Sequence, residues 1–163
     1  MKNTEQTAHS IEQLEQYEKN KFFVLKGLIL SFIGWQLGQI MGDHFTDILH
    51  PYVLFVFQLI NLLGALAWVG FILYFIKIGR FLKNNLALNH QINDERTKLI
   101  RLRAMSYGLV ITLGTTALLF GASILFDAFA QNFALSGTLV ARSVLLVAVA
   151  STLISYLLLE KDA

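Results

Sequence analysis

The chain has 163 residues, of which 55% are hydrophobic and only 15% charged, with a formal net charge of +2. A soluble domain would carry about 25% charged residues, so a large apolar surface must face something other than water. The absence of cysteine excludes disulfides, thiolate metal sites, thioether-attached haem and a cysteine nucleophile.

The first 21 residues are polar, with Glu5, Glu12, Glu15 and Glu18. They lack the short apolar core and small-residue cleavage site of a signal peptide, so the first span is expected to remain as an uncleaved anchor. Ser10 followed by Gln13 has capping-box spacing, which would satisfy two N–H groups at a helix start. Ile11, Leu14 and Tyr17 then recur on one face while Glu12, Glu15 and Glu18 occupy another. This predicts an N-terminal amphipathic helix, either lying on a membrane surface or running straight into the first span. Its acidic side disfavours anionic lipid, so it is expected to pack against the basic middle of the chain. Residues before Ser10 are expected to lack regular structure.

Four apolar stretches follow, at about 22–41, 52–78, 104–126 and 139–159. Each meets or approaches the ~20 residues an α-helix needs to cross the ~30 Å hydrocarbon core of a bilayer. The runs are continuous, whereas the ~10-residue strands of a membrane barrel alternate in polarity. The single proline of the chain, Pro51, lies between the first two runs and interrupts neither.

The first run carries small residues at Gly27, Ser31, Gly34, Gly38 and Gly42, spaced four, three, four and four apart. That spacing puts them on one helical face, where small side chains let backbones approach closely in lipid. The partner is a neighbouring span or a second copy. The second run is the most aromatic, with Phe55, Phe57, Trp68, Phe71, Tyr74 and Phe75, and much of it is expected to face lipid. Gly108, Thr112, Thr115 and Ala122 form a small stripe on the third run, and Gly137, Ala141, Ala148, Ser151 and Ser155 form one on the fourth. Hydroxyls in such helices bond back to carbonyls one turn earlier and require no ligand.

Lysine and arginine fall in alternate connections. Lys19, Lys21 and Lys26 flank the start of the first run, and the segment 79–103 with its edges holds Lys77, Arg80, Lys83, Arg96, Lys98, Arg101 and Arg103. The connection at 43–51 has neither residue. The positive-inside bias therefore predicts both termini and the middle loop in the cytoplasm. In that loop Asn93, Asp94 and Glu95 form a helix start, a capping side chain followed by carboxylates at the positive end of the dipole. With no breaker before the membrane, this helix should run from 94 to 126, about 50 Å, and project two or three turns from the bilayer.

Asn93, Asp94, Glu95 and Arg96, then Ile100, then Arg103 and Ala104, resemble a motif of small prokaryotic multi-span membrane proteins. There an Asp-Glu-Arg triplet precedes Ile and then Lys-Ala, just before a membrane helix; here Arg103 replaces the usual Lys. The resemblance covers about twelve residues. It implies a prokaryotic cytoplasmic membrane, no enzymatic activity and, beside a regulator gene, a partner-docking role for Asp94, Glu95, Arg96 and Arg103. Helix capping, local pairing and lipid anchoring account for the same residues without a partner.

Asp43, Asp47 and His50 have i, i+4, i+7 spacing and would hold a divalent metal if the first helix continued through 49. Gly42 and Pro51 argue for a turn there, which would scatter them. A bis-histidine haem is disfavoured, because His44 and His50 share one connection while His9 and His90 lie at the other side. No cofactor is expected. A proton-coupled exporter needs an ionisable group deep in the bilayer, whereas Asp127 and Arg142 lie near span ends. Only Gln36, Gln39, Gln58 and Asn61 are polar at mid-depth; they would line a polar path or bond between helices. No nucleophile-elbow, metalloprotease, phosphate-loop or dinucleotide motif occurs. The middle-loop cations are explained by topology, so nucleic acid is not an expected partner.

The sequence thus predicts an all-α integral membrane four-helix bundle, with the N-terminal amphipathic helix (1–21) and a cytoplasmic extension of the third span. The expected role is a non-enzymatic regulatory or accessory protein that binds a cytoplasmic or membrane partner. The alternative is a small oligomeric channel or transporter.

Overall fold

Long apolar runs without internal breakers leave the backbone one way to satisfy its polar groups in lipid, which is to stay helical. The computed structural model describes residues 2–84, 95–129 and 136–161, and it contains four helices and, among these residues, no strand. They are α1 (Lys2–His44), α2 (Pro51–Asn84), α3 (Glu95–Phe129) and α4 (Gly137–Lys161). All four are long and apolar enough to cross a membrane. The described residues are therefore all-α, and their four long apolar helices are compatible with a multi-pass membrane protein.

The helix ends have local causes. Between α1 and α2, Ile48 and Leu49 donate backbone N–H groups to Phe45 O at 3.2 and 3.0 Å, which closes a turn. His50 then caps α2. Its carbonyl accepts from Val53 and Leu54 at 2.9 and 3.1 Å, and its ring Nδ1 faces the Tyr52 N–H at 3.4 Å. Pro51 takes the first helical position, where its missing N–H costs nothing. Ser136 caps α4, its Oγ accepting the Leu139 N–H at 3.1 Å. Glu95 stands in the first turn of α3, at the positive end of the dipole.

Two expectations about the ends are corrected. Helix α1 begins at Lys2, so residues before Ser10 are helical and Ser10 lies inside the helix instead of capping it. The segment runs directly into the first apolar run as one helix. The second apolar run does not end its helix at 78, since α2 continues to Asn84, while α3 starts at Glu95, in line with the helix start expected at 93–95. Lys77, Arg80 and Lys83 end the apolar stretch, yet lysine and arginine are good helix formers and do not end the helix.

Helix α1 packs against α2 on one side and α4 on another, and α4 packs against α3. The molecule is thus two antiparallel hairpins joined along the α1–α4 seam. Half of the apolar window of α1 is buried, against 6% for those of α2 and α3. The core is accordingly a stripe of α1, with Val24, Leu25, Leu28, Ile29, Phe32 and Ile40. The outer faces expose Phe55, Leu62, Leu66, Leu113, Leu118 and Phe120, a surface suited to hydrocarbon.

Glycines set the close approaches. A Cβ on Gly38 would come within 2.7 Å of the α2 backbone at Phe57 and Asn61, and one on Gly64 within 2.6 Å of the α1 backbone at Trp35. Gly27 faces the Phe71 ring and Gly34 the side chain of Ile60, whereas Gly42 has open space around it. The small face of α1 is therefore occupied by α2 of the same chain along most of its length. Trp35 and Trp68 lie 5.3 Å apart across this seam, with Phe32 5.8 Å from Trp68. Of the aromatic residues of α2, Trp68 and Phe71 thus turn inward and Phe55 and Phe75 outward. Between α3 and α4 a close approach is Gly108 against Thr152.

Candidate functional site

Two ion pairs lie along the α1–α4 seam. On α1 the residues Lys21, Leu25, Leu28, Phe32, Gln36, Ile40 and Asp43 recur three or four apart and share one face. On α4, Arg142 and Glu160 are separated by five full turns and also share a face. The antiparallel pairing brings Lys21 to Glu160 at one end and Asp43 to Arg142 at the other. Lys21 and Asp43 are about 33 Å apart along α1, close to the ~30 Å thickness of a hydrocarbon core.

The two ion pairs differ in kind. The Lys21 and Glu160 side chains are only 10% and 16% exposed. The Lys21 ammonium also sits 5.5 Å from the centre of the Tyr156 ring, and the Tyr156 hydroxyl donates to Glu160 Oε1 at 3.1 Å. Glu160 Oε2 is buried without a partner. Tyr17 and Arg101 lie within electrostatic range of this cluster, so α1, α3 and α4 all contribute to it. At the far end Arg142 and Asp43 are more open, and beside them His44 Nδ1 lies 3.4 Å from Ser136 Oγ. Between the two pairs Gln36 is 3% exposed, with Oε1 unpartnered.

The residues proposed as metal ligands do not converge. Helix α1 ends at His44, so Asp43, Asp47 and His50 share no helical face. Asp43 is engaged by Arg142, Asp47 is exposed in the turn, and His50 caps α2 with its ring stacked on Tyr52 at 5.3 Å. Among the described residues no group of three or more His, Asp or Glu could hold a metal ion. The mid-depth amides are likewise dispersed: Gln36 is buried, Gln39 and Asn61 are half-buried, and Gln58 is exposed.

Of the proposed docking residues, Asp94 lies outside the described residues, while Glu95, Arg96 and Arg103 are exposed along the first turns of α3. The membrane-helix hydroxyls bond within their own helices, with Ser31 to Gly27 O at 2.6 Å, Thr112 to Gly108 O at 2.6 Å and Thr152 to Ala148 O at 2.8 Å.

Sequence reasoning used Lys21 only as an orientation charge and passed over Glu160 and Tyr156. The available signal was Tyr156 and Glu160 one turn apart at the end of an otherwise apolar helix. Comparisons with family models, with curated proteins and with solved structures find no match.

Proposed function

We propose that the chain is a non-enzymatic, four-span protein of a prokaryotic cytoplasmic membrane, with both termini inside. It acts as a regulatory or accessory subunit that docks a protein partner on the cytoplasmic side. The observation that carries this reading is the unequal length of the helices beyond their apolar windows. At the turn end, α1 and α2 are joined by a tight connection and Asp43 is paired with Arg142 of the same chain. At the other end, α1 continues back to Lys2, and α3 presents Glu95, Arg96, Lys98, Arg101 and Arg103, all exposed. Rigid helical extensions bearing both charge signs offer the specificity that an apolar span lacks.

The rival reading, a channel or transporter, draws no support from the amides, which face different surroundings within one copy. The docking reading is tested by purifying partners from native membranes with the wild-type protein and with a Glu95→Ala/Arg96→Ala variant. A specific partner should be lost from the double variant and kept by Asp47→Ala at the opposite end. An unchanged set of partners would overturn the docking role.

A further inference from the structure

Beside the Lys21–Glu160 cluster, with Tyr17 bordering both, α1 and α2 flank a cleft of about 260 Å³. Its polar lining is Gln16, Tyr17 and Asn20 from α1 with Tyr74 and Lys77 from α2; Ile78 and Phe81 supply apolar wall. The inventory is one ammonium, two amides and two phenols, with no carboxylate, so it is rich in donors and carries positive charge. Glu15 and Glu18 of α1 line a separate depression with Lys19, Phe22, Phe23 and Lys26. Arg80 is exposed one helical step beyond Lys77 and adds a second cation on the same flank.

The depth of the cleft matters as much as its chemistry. Asn20 lies two residues before the first apolar run, and Tyr74, Lys77 and Ile78 close the second. Tyrosine and lysine at both rims of a span mark the headgroup layer of a bilayer. A headgroup-sized, donor-rich cleft at that depth, open to its surroundings, suits a phosphate ester whose acyl chains remain in the adjoining hydrocarbon.

We propose that this α1–α2 cleft binds the headgroup of an anionic phospholipid, with Lys77 meeting the phosphate and Asn20, Gln16 and the two tyrosine hydroxyls donating hydrogen bonds. The inference rests on membrane placement and is independent of the docking role. The test uses the full chain in detergent, delipidated and then offered phosphatidylglycerol or phosphatidylcholine, with bound lipid counted by native mass spectrometry. The wild-type protein should prefer phosphatidylglycerol, and Lys77→Gln should lower that preference about fivefold, the loss of one cation near a phosphate. Lys77→Arg should restore it, and Lys98→Gln, on the exposed flank of α3, should leave it unchanged. No preference in the wild-type protein, or a preference untouched by Lys77→Gln, would overturn the proposal. So would inorganic phosphate displacing the lipid, since that would make the cleft a free-anion site.

Discussion

Lys21 and Glu160 form a pair that neither residue could sustain alone in this environment. Both side chains are nearly removed from water, and each compensates the other's desolvation together with the Tyr156 ring and hydroxyl. Removing one partner of such a pair leaves a buried charge and costs about 3–5 kcal/mol. Glu160→Leu should therefore lower the unfolding midpoint in detergent strongly, and Lys21→Met combined with Glu160→Leu should recover most of the loss. A double variant as unstable as the single one would mean that the pair is not the source. Asp43 and Arg142, more exposed, should lose no more than about 1 kcal/mol on Asp43→Asn. The glycines give a second contrast at this scale. Gly38→Ala drives a Cβ into the α2 backbone, whereas Gly42→Ala meets nothing within 4 Å. The first should destabilise by about 1–3 kcal/mol through overpacking. The second should be neutral or stabilising, by up to about 1 kcal/mol of helix propensity.

At the scale of the helix, the apolar runs indicate where lipid begins and ends but not where the helix does. Charged residues at 77–83 and 95–103 are compatible with helical backbone, so α2 and α3 outrun their spans, and α1 extends back through the acidic N-terminal segment. The ends are set instead by particular groups, such as His50 with Pro51 and Ser136. Ser136→Ala should cost about 1 kcal/mol and fray the first turn of α4, measurable as faster amide exchange there. The pairing of α3 with α4 can be tested directly because the chain has no cysteine of its own. Gly108→Cys with Thr152→Cys should cross-link on oxidation, since the Gly108 Cβ position lies 2.9 Å from Thr152 Cβ and a small outward shift of the helices reaches the ~3.5–4.5 Å of a disulfide. Gly114→Cys with Thr152→Cys should not, because Gly114 faces open space. Equal cross-linking of both pairs would contradict the register.

For the whole molecule, two hairpins meeting along α1 and α4 place the start of α1, the end of α2, the start of α3 and the end of α4 toward one end. The proposed orientation puts that end in the cytoplasm. In intact cells a membrane-impermeant maleimide should label Thr46→Cys and spare Lys98→Cys until the membrane is opened. The reverse pattern would invert the topology, and with it the docking side and the leaflet of the lipid cleft.

The amino-acid order by itself determined that the described residues form four apolar helices long enough to span a bilayer, because uninterrupted runs of about 20 apolar residues suit a helix whose backbone groups are satisfied internally. It also marked the face of α1 that demands close approach, since glycine spacing is a local property. Tertiary structure alone decided what meets that face, which is α2 along Gly27, Gly34 and Gly38. It also joined Lys21 to Glu160, 139 residues away, and it separated Asp43, Asp47 and His50 by ending α1 at His44. Periodicity within a helix fixes which residues share a side, whereas partners across a seam depend on the register of two helices, which no single segment encodes.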